Sequence, residues 1–472
     1  MKYQQNKTMV PPWVSCHTYL WGSEESRSYI SNERAHTYIL LEGVASDMWK
    51  LLCDNVPEQE LSSWAHERGL DGQVDSFLDE LAAQGLLTDG DLASGADGAF
   101  YAQMQAEASA AEEAAFLEEM QEWVLRHNGL FSLFFELTYR CDLRCVHCYN
   151  PKDMAAIELD FDLCRQAIDD AYDMGCFRIT FSGGEATRHS RFLELVAYAR
   201  SKRISVEIFT NGQRLYEDKK LCRDLLALYP YRICVSLYST EEAMHERVTS
   251  VKGSFQKTDV LIRSLREQNV NVQIKNFLLN FNCFDCINVK KMAQKIGATS
   301  LADISLIPTI EGDKKTLQFV LSEEELFRLY TDPESPLYVG DKFKPIDYAS
   351  RMGSSPCSGG FSGLCVNPVG EVTICVSLPM TVGDLRKCSL REIWGKAMEK
   401  DQTSKLYQWQ KLCLADYTQC FHEEYCAFCH FCPGMGYLEN GYLKKSDILC
   451  LQAKVRMKAF QFLNRKKELE SR

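Results

Sequence analysis

The sequence has no apolar opening. Residues 1–10 are mostly polar, and no uninterrupted apolar run approaches the roughly 20 residues that a bilayer span requires. Neither a secreted nor a membrane-inserted protein is expected, so the reading is cytoplasmic with no membrane partner. Basic charge is also in short supply. Lys and Arg number 53 against 65 Asp and Glu, a formal net charge of −12, which leaves no basic footprint for nucleic acid. Proline is missing from residues 91–127, a stretch rich in Ala, Glu, Gln and Met. This stretch reads as a linker turning into a long polar helix, with Phe116, Leu117, Met120 and Val124 as an apolar stripe.

Cysteine is the opposite case, with 21 residues in a chain of 472. In a reducing compartment thiols stay unpaired, so clustered cysteines point to metal ligation rather than disulfides. The length suggests about three domains. Apolar content of 46% and charged content of 25% are ample for buried cores.

The densest chemistry follows the apolar run Leu133-Phe134-Phe135, which reads as a buried strand. It leads into Cys141, Cys145 and Cys148, spaced C-x-x-x-C-x-x-C. Three thiolates from one loop can hold three irons of a cubane [4Fe–4S] cluster and leave the fourth iron open. An open position is what a catalytic metal site keeps. Zinc sites also use C-x-x-C pairs, and cysteines at i, i+4 and i+7 can share the buried face of a helix.

A second signal comes one β-α unit later. The strand at residues 177–181 ends in Ser182-Gly183-Gly184-Glu185, where two glycines permit close backbone approach and a carboxylate can meet an ammonium group. Together the triplet and this turn resemble the radical S-adenosylmethionine (SAM) superfamily. The resemblance implies that Cys141, Cys145 and Cys148 bind the catalytic cluster, whose open iron is chelated by the amino and carboxylate groups of SAM. Reduction then yields a 5′-deoxyadenosyl radical that takes hydrogen from the substrate. It also implies that Gly183, Gly184 and Glu185 hold the methionyl amine, and that His147 lies near the adenine. Asn211, beside Thr210, and Ser236 sit where the family contacts SAM, although strand-end capping accounts for them equally.

Further strand signals at residues 204–209, 232–237, 272–279 and 304–307 alternate with amphipathic helical stretches such as residues 161–174 and 192–202. Repeated β-α units imply a parallel sheet with right-handed crossovers. Six such strands match the partial (β/α)6 barrel of the same superfamily.

At the amino end, a strand signal at residues 37–41 forms a hairpin with the segment from Tyr29, and three short helical patterns follow, ending at Leu86-Leu87. The order is winged-helix-like. It resembles the precursor-recognition domain of enzymes that mature ribosomally made peptides, which implies leader binding by strand addition to the hairpin edge. A small helical cap is the other reading, and DNA binding is disfavoured by the acidic composition.

Ten cysteines fall between Cys357 and Cys450. Cys357 and Cys375 bracket Gly370 as C-x12-G-x4-C, and Cys420, Cys426, Cys429 and Cys432 run as C-x5-C-x2-C-x2-C. The block resembles the SPASM extension, which implies two auxiliary [4Fe–4S] clusters. The family spacing of the second block is C-x2-C-x5-C-x3-C, so Cys413 competes with Cys420 as a ligand, and a zinc ribbon at Cys426-x-x-Cys429 is the alternative. With Cys365 and Cys450 there are eight thiolates. The resemblance implies Cys357, Cys365, Cys375 and Cys432 on one cluster, and Cys420, Cys426, Cys429 and Cys450 on the other. The remaining cysteines read as small buried residues, with Cys283-x-x-Cys286 a minor redox candidate.

The expectation is an α/β protein with a partial (β/α)6 TIM-type barrel, an N-terminal winged-helix-like domain and a C-terminal cysteine-rich SPASM domain. The divisions fall at residues 1–92 for leader recognition, 93–127 for a helical linker, 128–340 for the barrel and 341–472 for SPASM. The resemblance implies SAM, three [4Fe–4S] clusters, a precursor peptide, and an electron donor such as flavodoxin or ferredoxin. It further implies radical formation of a thioether between a cysteine sulfur and a carbon of that peptide. Carbon–carbon crosslinking, epimerisation and sulfatase-type oxidation remain alternative outcomes. A non-enzymatic peptide-binding or cluster-assembly role is the other class, and SAM cleavage to 5′-deoxyadenosine separates it.

Overall fold

The computed structural model describes residues 8–19, 26–35, 37–56, 58–70, 72–89, 110–151, 156–340 and 343–470. Nearly half of the expected linker, residues 93–109, lies outside them.

The first unit begins with a two-residue strand, β1 (Thr8–Met9). Strands β2 (Val14–Tyr19), β3 (Arg27–Asn32) and β4 (Thr37–Glu42) then form an antiparallel sheet in the order β2-β3-β4. Helices α1 (Gly43–Cys53), α2 (Glu58–His66) and α3 (Gln73–Ala83) follow, and β5 (Thr88–Asp89) returns to pair with β1. Trp49, Ile30, Leu78, Leu81 and Leu86 fill the core between sheet and helices. The expected hairpin thus has a third strand. Val14–Tyr19 lacks clean alternation because it is covered on both sides: the Cys16 amide bonds to the Arg203 carbonyl of the next unit at 3.0 Å.

Helix α4 (Ala110–Arg126) is a strut rather than a spacer. Its Met120 and Val124 are fully buried against Tyr19, Tyr29 and Phe177, so the apolar stripe read from the sequence joins the first sheet to the barrel.

The central sheet contains β6 (Ser132–Glu136), β7 (Arg178–Ser182), β8 (Ser205–Thr210), β9 (Arg232–Ser236), β10 (Val272–Phe277) and β11 (Thr299–Asp303), each parallel to the next. Helices such as α5 (Phe161–Asp173) and α6 (Phe192–Ser201) make the crossovers. One strand is not where it was expected. The sixth is Thr299–Asp303, not residues 304–307. The apolar run misled because Leu306 and Ile307 are buried as loop residues against the cysteine loop and the C-terminal region, whereas the true strand is a half-exposed sheet edge with little apolar content.

The sheet does not stop at the barrel. Strand β12 (Gly363–Val366) pairs parallel to β6, with Cys365 opposite Phe134, and β13 (Glu371–Cys375) and β14 (Leu378–Asp384) extend it antiparallel. The nine-strand order is β11-β10-β9-β8-β7-β6-β12-β13-β14. Among the described residues no helix is long and apolar enough to cross a membrane.

The first unit is fastened to the barrel by Arg200 of α6. Its guanidinium donates to the carbonyls of Pro12 (2.7 Å) and Ile204 (2.8 Å) and to the Ser15 hydroxyl. Glu33 is buried beside it, its carboxyl pushed up by burial and drawn down by the Arg200 charge. The Ser15 hydroxyl bridges the two groups, accepting from Arg200 and donating to Glu33. Arg200→Met leaves these buried acceptors without their donor and is expected to weaken docking by about 1–3 kcal/mol, seen as faster hydrogen exchange along Val14–Tyr19. Unchanged exchange there would show that Arg200 does not hold the domain.

Candidate active site

Beyond β6 the chain enters the cysteine loop, which is pinned by backbone bonds as well as by the packing of Leu143 and Val146. The Arg144 and Val146 amides donate to the carbonyls of Thr249 and Val248, both at 2.9 Å, and the Cys148 amide closes a turn on the Cys145 carbonyl at 3.1 Å. Cys141, Cys145 and Cys148 all line one cavity of about 380 Å3 at the carboxyl ends of the strands. Burial, then the nearby Glu185 charge, pushes the Cys141 thiol up to about 12. The Cys145 thiol is raised by burial and then by Cys148 and Cys141. Cys141 and Cys145, raised first by burial and then by neighbouring charge and thiols, are poor free thiolates, and with Cys148 beside them they form a good set of cation ligands.

The turn after β7 sits directly on this loop. Gly183 has φ +129°, and a Cβ there would lie 2.4 Å from the Thr138 carbonyl oxygen. One on Gly184 would lie 2.6 Å from both the Tyr139 and Arg140 carbonyl oxygens. The Gly184 amide donates to Thr138 (2.7 Å) and the Glu185 amide to Arg140 (2.8 Å). The close approach that these glycines allow is to the cysteine loop itself.

Glu185 is 1% exposed. Its Oε1 accepts from the Thr187 amide (3.2 Å), Thr187 hydroxyl (2.7 Å) and Thr210 hydroxyl (2.8 Å), and its Oε2 from the Asn211 amide (2.7 Å). Burial raises its carboxyl and the Thr187 and Asn211 bonds oppose that rise. Asn211 in turn donates to Asp142 Oδ1 (3.2 Å) and to Cys141 Sγ (3.5 Å), while Arg188 holds Asp142 Oδ2 at 2.7 Å. Asp142, Thr187 and Arg188 were not singled out from the sequence, although Asp142 stands directly after a triplet cysteine.

Ser236 lines the same cavity, as does His147, whose ring stacks on Phe277 (4.8 Å, 8° between planes). Burial lowers the His147 imidazole to about 4, so it is neutral near pH 7. Buried polar atoms rarely lack partners. Yet His147 Nδ1 and the Oδ1 atoms of Asn150 and Asn276, all on cavity-lining residues, have none among the described residues. The cavity therefore has the polar groups, the thiols and the room for a polar ligand beside a cluster.

A second cavity of about 370 Å3 is lined by Cys357, Cys365, Cys375 and Cys432. Phe134 and Val376 line both cavities and form their shared wall. Burial pushes Cys357 up to about 11 and Cys375 to about 12, with Cys432 adding to the rise in Cys375. Cys365 on β12 is raised by burial, then by Glu136 and Cys375. The third group is Cys420, Cys426, Cys429 and Cys450: burial lifts Cys420 to about 11 and Cys429 to about 12, and Cys450 and Cys426 are the next contributors to both. Cys413 instead heads the turn Leu414–Asp416, its amide bonded to Asp416. Cys16 and Cys53, read as isolated, bring their sulfurs within 3.6 Å.

Among the described residues no three His, Cys, Asp or Glu side chains converge tightly enough to hold one metal ion. A zinc ribbon needs such convergence. A cubane does not, because each thiolate binds its own iron.

Comparison with known families agrees with this chemistry. The radical SAM superfamily model matches residues 135–282, from the cysteine loop across the turn after β7. The chain belongs to the radical SAM superfamily. An iron-sulfur cluster-binding SPASM model matches residues 357–433 of this radical SAM enzyme, so its cofactors are SAM and [4Fe–4S] clusters that include auxiliary ones. It is 26% identical over 335 residues to the antilisterial bacteriocin subtilosin biosynthesis protein AlbA of Bacillus subtilis, spanning 68% of this chain and 70% of that one. It is 26% identical over 285 residues to the PqqA peptide cyclase of Gluconobacter oxydans, spanning 56% and 76%. In fold it is similar to Streptococcus suis SuiB bound to precursor peptide SuiA, with TM-score 0.54 and 12% identity over 94% of this chain and 99% of that chain. It is likewise similar to anSMEcpe with bound AdoMet, with TM-score 0.51 and 14% identity over 71% and 98%.

Gly184→Ala tests the seat of the cysteine loop. The intruding Cβ meets backbone that cannot rotate away, at a cost of about 1–3 kcal/mol. The radical SAM enzyme should then lose about tenfold or more of its 5′-deoxyadenosine production. Full activity would show that the loop yields freely.

Proposed function

We propose that this enzyme matures a ribosomally synthesised precursor peptide by joining a cysteine sulfur to an acceptor carbon as a thioether. The observation that supports a peptide substrate is β4. Among the described residues it pairs with β3 alone, at the edge of a small sheet fastened to the barrel that carries the cysteine loop. An extended leader can add to such an edge through main-chain hydrogen bonds. The PqqA peptide cyclase and subtilosin relatives favour the same substrate class.

In this reading residues 1–92 recognise the leader, residues 93–127 connect, residues 128–340 are the catalytic barrel and residues 341–472 the SPASM domain. Cys141, Cys145 and Cys148 hold the catalytic cluster, and Gly183, Gly184 and Glu185 position the methionyl amine of SAM. His147, Asn211 and Ser236 line the remainder of its cavity. When bound, the cluster and SAM supply a 5′-deoxyadenosyl radical that takes hydrogen from the substrate carbon. Overall, SAM, a C–H and an S–H become methionine, 5′-deoxyadenosine, a C–S bond and a proton, so SAM is the net oxidant. An electron donor such as flavodoxin or ferredoxin starts the exchange. Phe134, Phe209, Leu306 and Ile307 make the cavity wall largely apolar, which restricts water around a radical.

Two auxiliary clusters take four thiolates each: Cys357, Cys365, Cys375 and Cys432, then Cys420, Cys426, Cys429 and Cys450. Neither keeps an open iron, so the substrate thiol is not activated by ligation there. Cys365→Ala, compared with Cys388→Ala, is expected to change the paramagnetic resonance and potential of one auxiliary cluster. Identical spectra in the two variants would remove Cys365 from the ligand set.

The function is tested with the short peptide encoded beside this chain's gene, incubated anaerobically with reduced enzyme and SAM. Each crosslink should remove two hydrogens from the peptide and one cysteine from the pool that iodoacetamide alkylates. Loss of hydrogen with every cysteine still alkylatable would mean carbon–carbon chemistry instead.

A further inference from the structure

The central sheet has a free edge beside the active site. Among the described residues strand β11 pairs with β10 and with nothing else. The Leu278 amide bonds to the Asp303 carbonyl at 2.8 Å, which sets the sense of the ladder. A strand residue turns its N–H and C=O to one side and its neighbours turn theirs to the other. Thr299, Leu301 and Asp303 thus bond towards β10, and Ser300 and Ala302 present their backbone groups outward. No hydrogen bond to those outward groups exists among the described residues.

Such an edge is normally blunted by proline, lysine, a bulge or a covering segment. Thr299–Asp303 contains no proline or lysine, and its register with β10 is unbroken. Leu301, 46% exposed, faces the active-site cavity. A further cavity of about 330 Å3 lies along Ala302 on the other flank, bounded by Leu337 and Tyr338, and Asp303 and Ser305 line both cavities. The edge therefore lies between the active-site cavity, which holds the cysteine triplet, and a trough along Ala302 that shares Asp303 and Ser305 with it.

We propose that an extended segment of the precursor peptide pairs with β11 through Ser300 and Ala302. The inference rests on the peptide-substrate reading above and adds where the modified segment, as distinct from the leader, is held. A repeating main chain is the ligand whose donors and acceptors match an edge in which every second residue is free. Pairing sends alternate peptide side chains into the active-site cavity beside Leu301 and Asp303, and the others into the trough at Ala302. The register of that pairing then selects which residue meets the radical.

The test uses the reconstituted wild-type enzyme and the same gene-neighbour peptide. Hydrogen exchange at the Ser300 and Ala302 amides should slow by about tenfold or more when peptide is added, the worth of one hydrogen bond. Peptides N-methylated one residue at a time should lose modification at alternate positions of one segment. Ser300→Pro removes one outward amide and leaves the β10 ladder intact. With iron content and circular dichroism at wild-type values, it should raise KM about tenfold. If the variant does not fold, exchange and N-methylation still decide. Unchanged exchange at both amides while the peptide is modified would overturn the proposal and leave the function standing. So would a dimer in solution that Ser300→Pro dissociates, since the edge would then belong to a second copy. A peptide that the wild-type enzyme neither protects nor modifies would overturn the substrate reading, and this proposal with it.

Discussion

The structure depends on one backbone contact, the seating of Gly183-Gly184-Glu185 on residues 138–140. Two amide-to-carbonyl bonds and two missing Cβ atoms bring the end of β7 against the cysteine loop at the end of β6. Thr210, Asn211 and Asp142 are then placed by relay. Glu185 is fixed by four hydrogen bonds, one of them from the Asn211 amide, and Asn211 reaches Asp142 and Cys141 from the end of β8. Three strand ends thus converge on one loop, whose Leu143 is buried and whose Cys145 and Val146 pack against the cluster of Tyr238, Val248, Leu279 and Leu306.

A second constraint follows from charge. The chain carries a formal charge of −12 before any thiol ionises, and burial, then neighbouring cysteines, raises the proton affinity of Cys145, Cys375 and Cys429. Ionised thiolates at such spacing are stable only with cationic iron between them, so cluster loading and order of the cysteine-bearing loops are coupled. The continuous sheet joins the two cysteine-bearing regions. Strand β12 bears Cys365 and is hydrogen-bonded to β6, whose end launches the cysteine loop. Among the described residues Phe134 and Val376 line both the active-site and the auxiliary cavity.

Much of this was legible in residue order because it is local. The triplet spacing, the glycine turn and apolar runs that end in polar signals each occupy a few adjacent residues. What was missed is non-local. Val14–Tyr19 hides as a strand because, beyond its pairing with β3, its other side meets the Arg203 carbonyl of the barrel, far away in sequence. Thr299–Asp303 hides because an edge strand needs no apolar alternation, while Leu306 and Ile307 look like a strand because loops too can be buried. The pairing of Cys16 with Cys53 and the tie of Arg188 to Asp142 are made by the fold and carry no spacing signature.

The central claim is that the loop after β6 carries the catalytic cluster independently of the C-terminal cysteines. It is tested most directly by replacing Cys141, Cys145 and Cys148 together with Ala, then combining iron analysis with paramagnetic resonance and an assay of SAM cleavage. The account requires loss of one cluster and of all 5′-deoxyadenosine production, with the auxiliary signals retained. Retained SAM cleavage, or loss of every cluster at once, would contradict it.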